Sequence, residues 1–313
     1  MAITTVAVLP PAVREYYDRL LLMTAYPTLI HTKFAQKRIL PEKMGDTIVF
    51  RRYSRLPTVP IPLVDGVTPP GSPLSATDIK ARVDFYGNFV TITNQVELTV
   101  EDRVLNESAR LLAQNLGQTM DEVTRDVLAS TISVLQCSNG VNGSTPTELT
   151  KADIDAAVKT LLGNDAEMIS EVVVGRNAFG TAPVRPAFWG YIDTDLLDDL
   201  ENVSNFSNSA NYPNQQSVLD SEWGATGNVR WLYTSIGSVS SASPAVYNNF
   251  IVGKEAYAVV HLGSETGQFY IEPLGSAGAA DPLHQRGSVG WQHPFVSRIL
   301  NDSFMINLMA THS

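Results

Sequence analysis

Residues 47–56, TIVFRRYSRL, read as a strand, and residues 79–92, IKARVDFYGNFVTI, read as the strand that returns. On the way back Ile79, Ala81, Val83 and Phe85 alternate with polar residues, the period of a half-buried strand. Between the two strands lie Pro57, Pro60, Pro62, Pro69, Pro70 and Pro73. Proline removes a backbone donor and clashes with the preceding turn, so this middle cannot be a helix. A structureless loop of roughly twenty residues is uncommon inside a compact domain and usually marks function or disorder. Such a loop is most easily held by something outside its own domain, which points to an interaction protein and to an assembly.

The strongest helix signal follows this hairpin. Thr99 and Asp102 make a capping-type start, and Leu105, Ala109, Leu112, Leu116, Met120, Val123 and Val127 recur at spacings of three and four. Asp121 and Arg125 sit one turn apart and are expected on the other face. The pattern runs to about Leu135, which predicts a helix on the order of 50 Å long. A second capped helix is expected from Thr150 and Asp153 to Gly163, a short strand over 171–175, and a short acidic helix over Asp193–Glu201. Upstream, residues 1–11 read as an extended arm and 13–25 as a helix stopped by Pro27. After a Ser/Asn-rich connection at 202–217 the chain turns to strands: 229–235, 249–253, 256–262, 268–274, then SVGWQH and FMINLMA. There is no internal repeat, and the class is α+β rather than alternating βα units.

Composition narrows the function. The 313 residues suffice for a sizeable core, and length alone suggests about two domains. With 44% apolar and 17% charged residues the chain is globular. A net charge of −10 and an isoelectric point near 4.9 argue against wrapping nucleic acid by neutralising phosphates. They suit a container that must not grip packed DNA strongly, and equally suit ordinary solubility. The single cysteine, Cys137, excludes an intrachain disulfide and a CxxC metal site. The N-terminus lacks the positive start of a signal peptide, and no apolar run approaches membrane-spanning length.

Catalytic motifs are missing. There is no G-x-G-x-x-G, Walker loop, H-E-x-x-H or G-x-S-x-G; GSETG at 263–267 has its serine in the wrong place. The five histidines are scattered, and His284 and His293 fit no standard zinc spacing. Asp195, Asp198, Asp199 and Glu201 lack the alternating oxygens and central glycine of a calcium loop and read as a solvated helix face. No catalytic, cofactor or metal residues are therefore expected. Arg51, Arg52 and Arg55 cluster on the outgoing strand. They suit carboxylates of a neighbour, or a solvated strand face that blunts edge pairing; nucleic acid ranks last.

In the order of its parts the chain resembles the major capsid proteins of tailed bacteriophages with the Hong Kong 97-type fold. Within that group YYDRLLLMTAYPTLIHTKFAQKRILPEKMGDTIVFRRYSRL (16–56), VGKEAYAVVHL (252–262) and GSVGWQHPFVSRILNDSFMINL (287–308) resemble the coat-protein family of N4-like phages. The resemblance implies an N-terminal arm (1–44), an extended loop (45–97), a spine helix with the first part of a peripheral domain (98–201), an axial domain (202–274) and C-terminal strands returning to the core (275–313). It implies a structural protein, not an enzyme, whose hexamers and pentamers enclose double-stranded DNA that they contact weakly. Expected partners are copies of itself, a portal, a separate scaffolding protein and decoration proteins, with no membrane. The expected location is the virion capsid, assembled in the host cytoplasm. Expected subunit contacts are Arg51, Arg52, Arg55, Pro62, Val64, Pro69 and Pro70 of the loop, and Ile3, Val6 and Val8 of the arm. The rival readings are a cellular compartment shell of the same fold and a hydrolase with residues 57–78 as a lid.

Overall fold

The computed structural model describes residues 28–56, 58, 62, 65–66, 68, 71–94, 104–169, 186–212, 218–263, 267–272 and 282–312. The expected arm and helix over 1–27, the helix cap at Thr99 and the strand over 171–175 lie outside these residues.

Two sheets build the body. The first joins β1 (Gln36–Leu40), β4 (Asp84–Thr93), β12 (Tyr257–Leu262), β13 (Gln268–Glu272) and β14 (Arg286–Ile299) in the order β1-β12-β14-β13, with β4 also on β14. Helix α1 (Val104–Ala129) covers one of its faces: Leu112 packs with Ile92, Val289 and Trp291. The second sheet joins β5 (Val134–Gln136), β6 (Phe188–Asp193), β7 (Phe206–Asn208), β8 (Glu222–Thr226), β9 (Val229–Thr234), β11 (Val246–Val252) and β15 (Met305–Thr311) in the order β5-β15-β11-β6-β9-β8-β7. The two-residue β10 (Ser238–Val239) adds to β11.

The central strands β6, β9, β11 and β15 of the second sheet are buried on both faces and are rich in apolar residues. One face packs Phe188, Ile192 and Trp231 against helix α2 (Lys151–Gly163), through Ile154, Ala157 and Leu161, and against Leu200 of helix α3 (Leu197–Asn202). The other face packs Trp189, Tyr191 and Phe250 with Ile30 and Phe34 and with Leu128 near the end of α1. Both sheets draw on segments that are far apart in sequence.

Helix α2 begins where its cap predicts. The Thr150 side chain accepts from the Asp153 N–H, and the Asp153 carboxylate accepts from the Thr150 N–H, a complete capping box. Helix α1 ends earlier than its periodicity predicts. Its 26 residues span about 39 Å. Beyond Ala129 the Asp302 carboxylate accepts from the Thr131 hydroxyl (2.9 Å) and the Ile132 N–H (3.3 Å). These bonds draw the chain out of the helix, and Leu135 joins β5 beside β15.

The predicted returning strand is two strands. Strand β3 (Ala76–Arg82) pairs with β2 (Thr47–Tyr53) as a separate two-stranded sheet. At Val83 the chain passes into the body sheet, and β4 then pairs with β14 from Asp84 to Thr93. The alternation therefore does not continue to Phe85: Ala81 and Val83 are buried, but Phe85 is 62% exposed.

Candidate subunit interface

The apolar contacts that tie the β2–β3 hairpin to its own subunit lie at its foot. Ile48 and Phe50 are half-buried against Leu40, Val83 and Val260, and the Val83 N–H donates to the Asp46 carbonyl at 2.8 Å. Farther out Tyr53, Leu56 and Leu74 are more than half exposed. Beyond the paired residues the chain carries the exposed Pro62 and a turn at Asp65 and Gly66.

The three arginines have different surroundings. Arg51 lies directly opposite Asp78 in the ladder, and its Nε and Nη2 donate to the two carboxylate oxygens at 2.8 and 3.0 Å. This fork holds the Asp78 carboxyl below its usual range and raises Arg51, chiefly through the hydrogen bonds themselves. Arg55 Nη1 donates to Asp165 at 2.6 Å. Both pairs are exposed, so each contributes little to the subunit's own stability. Among the described residues Arg52 reaches the Leu300 carbonyl alone, at 3.5 Å. Of the other expected contacts, Val64, Pro69 and Pro70 of the loop and Ile3, Val6 and Val8 of the arm lie outside the described residues.

A second exposed surface was not read from the sequence. Directly opposed residues of β4 and β14 share a face. Asn88 and Trp291 both donate to the Asn115 side chain of α1, at 3.0 and 3.2 Å, which fixes that face inward. Phe85, Phe89 and, across Gly290, Tyr270 of β13 therefore point away from the helix. Phe89 is 69% exposed, and with Tyr270, Glu272 and Gln292 it borders a groove of about 320 Å³. A Cβ on Gly290 would lie 2.9 Å from that of Phe89, so only glycine leaves the groove open. The missed signal was DFYGNFV at 84–90, apolar at both odd and even positions. A strand with one solvated face should alternate, and this one does not.

Polar groups inside the body do structural work. The Asp121 carboxylate accepts from the Ile30 and Thr32 N–H groups (3.3 and 3.2 Å) and lies 2.8 Å from His31 Nδ1. Tyr257 donates to the His31 carbonyl at 2.6 Å, and the Tyr191 and Tyr257 hydroxyls meet at 2.8 Å. This His–Asp–Tyr constellation has catalytic residue types. All four side chains, however, are at most 1% exposed, and burial pushes both tyrosines well above their ordinary values. It joins the 28–35 segment to α1 and to both sheets. Asp121 had been expected on the solvated face of the helix. His261 and His293 meet at 2.8 Å, buried beside Phe295. Burial, with the Asp153 charge, pushes the Cys137 thiol up to about 12, so it is no nucleophile at neutral pH. Among the described residues no group of three or more His, Cys, Asp or Glu could hold a metal ion, and no helix is long and apolar enough to cross a membrane.

No family model and no curated protein match this chain. Solved structures match along its whole length. It covers 100% of this chain and 98% of the matching chain in the head structure of Helicobacter pylori bacteriophage KHP40, with TM-score 0.68 at 14% identity. For the capsid of Ralstonia phage GP4 the shares are 100% and 99%, with TM-score 0.67 at 12% identity. For the capsid of cyanophage Pam1 they are 99% and 100%, with TM-score 0.64 at 14% identity. This chain has the Hong Kong 97-like capsid fold. At these identities the likeness is one of fold.

Proposed function

We propose that this chain is a major capsid protein of a tailed bacteriophage. Its hexamers and pentamers would form an icosahedral shell around double-stranded DNA. The observation that carries the reading is the match of the entire fold, extended loop included, to phage shell proteins at nearly equal length. Two further features support it. The extended loop forms its own sheet with exposed apolar residues at its far end, and the β4–β14–β13 face exposes the aromatic rings of Phe85, Phe89 and Tyr270. Exposed apolar surface of this kind marks interaction sites.

In this reading the loop lies across a neighbouring copy, and the arm with Ile3, Val6 and Val8 packs on another subunit or under the spine helix. Arg51, Arg52, Arg55, Pro62, Val64, Pro69 and Pro70 contribute to the contact between copies. The chain divides into arm (1–44), loop (45–97), spine and first peripheral part (98–201), axial part (202–274) and returning strands (275–313). Its partners are a portal, a separate scaffolding protein and decoration proteins, assembly occurs in the host cytoplasm, and the chain is not an enzyme. The three quoted stretches support the N4-like coat family as its group.

Electron microscopy of the purified protein tests the reading: closed shells are expected, and dispersed subunits under all assembly conditions would overturn it. Particles from infected cells should hold the genome; protein cargo instead would favour a cellular compartment shell.

A further inference from the structure

Among the described residues Arg51 and Arg55 have carboxylate partners, and Arg52 has none. Arg52 lines a cleft of about 500 Å³ between the hairpin, the end of α1 and the end of β14. Arg298 lines the same cleft and is exposed, with no carboxylate partner among the described residues. Ile79, Val127 and Ile132 give apolar walls, and Ile132 is 84% exposed. Asp302 also lines the cleft; its Oδ1 accepts from the Thr131 hydroxyl and the Ile132 N–H, and it is paired with neither arginine among the described residues. The cleft thus offers two guanidinium groups over apolar surface, a setting suited to a carboxylate carried on an apolar segment.

The chain has such a segment. Asp65 is the one charged side chain in residues 56–77. It is exposed, in a turn with Gly66, whose φ of +75° favours glycine. It has no partner among the described residues. The sequence around it, LPTVPIPLVDGVTPP (56–70), is apolar and rich in proline, whose fixed φ lowers the entropy lost when an extended segment is captured.

We infer that Asp65, in the loop of one copy, enters the Arg52–Arg298 cleft at the hairpin of the next. The inference rests on the shell reading and adds the residues that meet. The contact is head-to-tail: two different patches join, so repetition closes a ring when the rotation allows it. Arg52 and Arg298 then gain a shared carboxylate in a site the apolar loop shields from water, where an ion pair is stronger than on an open surface.

Four full-length variants test this: Asp65→Asn, Asp65→Arg, Arg298→Asp and the Asp65→Arg/Arg298→Asp swap. Shell yield is read by electron microscopy, and melting is followed for shells and for isolated subunits. Each single charge reversal should lower shell yield at least tenfold, Asp65→Asn should make assembly sensitive to salt, and the swap should restore shells. Isolated subunits should melt with the parent in every case. Parent-like assembly of the single variants would overturn the contact, as would a swap that folds but fails to restore shells. Equal destabilisation of isolated subunits would mean a contact within one chain. If Arg298→Asp weakened only DNA-filled particles while Asp65→Arg did nothing, the cleft would serve phosphate instead. Parent shells with indifferent variants remove the contact alone; a parent that never forms shells removes the shell reading and the contact together.

Discussion

Asp121 is fully buried and takes two backbone N–H groups and a histidine from a segment 89 to 91 residues away. Asp121→Ala would leave these donors buried without an acceptor. It should lower the unfolding free energy of the isolated subunit by about 3 kcal/mol, measured in urea. The His261–His293 pair predicts a pH dependence. Burial lowers His293 from its ordinary 6.5, so between 6.5 and its folded value the unfolded chain binds more protons. Stability should therefore fall as pH drops below about 6.5. His312 acts in the opposite sense: its hydrogen bond to Asp199 raises it, so its contribution is full below 6.5 and is lost as pH rises through the folded value. Urea titrations between pH 5 and 8 should show the His293 slope flattened in His293→Gln and the His312 slope flattened in Asp199→Asn. Unchanged slopes would show that neither histidine titrates differently on folding.

Helix α2 shows how far a local signal carries. Its start at Thr150 and Asp153 was legible because a capping box is settled by residues three apart. Thr150→Ala should cost about 1 kcal/mol in thermal unfolding of the subunit. Asp153→Ala should cost more, because the same buried carboxylate holds the Ser138 and Gly140 N–H groups at 3.0 and 2.7 Å. Strands β9, β11, β12 and β15 were legible as apolar runs for a related reason: burial on both faces leaves little choice of residue. The end of α1, the inward turn of Asp121 and the break at Val83 were not legible. Each depends on a distant partner: Asp302, the 28–35 segment and β14. The hairpin itself could be read from its prolines, but the division of its arginines between Asp78, Asp165 and the cleft could not. Because β2 and β3 pair only with each other, deleting residues 60–75 should leave a subunit that melts like the parent yet forms no shells. Normal particles from that deletion would mean that the loop serves no neighbour.

At the scale of the whole particle, the chain has no lysine between Phe50 and Ile79, and Lys80 sits in the ladder opposite Val49, away from the loop turn. That segment therefore supplies no amine for an isopeptide bond to a neighbour. Boiled particles should run as one monomer band on a denaturing gel, and a ladder of multimers would contradict this. Holding copies together then falls to buried apolar surface and ion pairs, which salt and denaturant can reverse.

Strand β15 lies inside the second sheet, between β5 and β11, and its residues 305–311 face partners read from the message much earlier. During synthesis β5 and β11 emerge first and must wait with open edges. The sheet cannot close until Thr311 has left the ribosome, so a prematurely terminated chain cannot complete its core. Translation thus carries a quality check: only polypeptides read through β15 reach the folded shape.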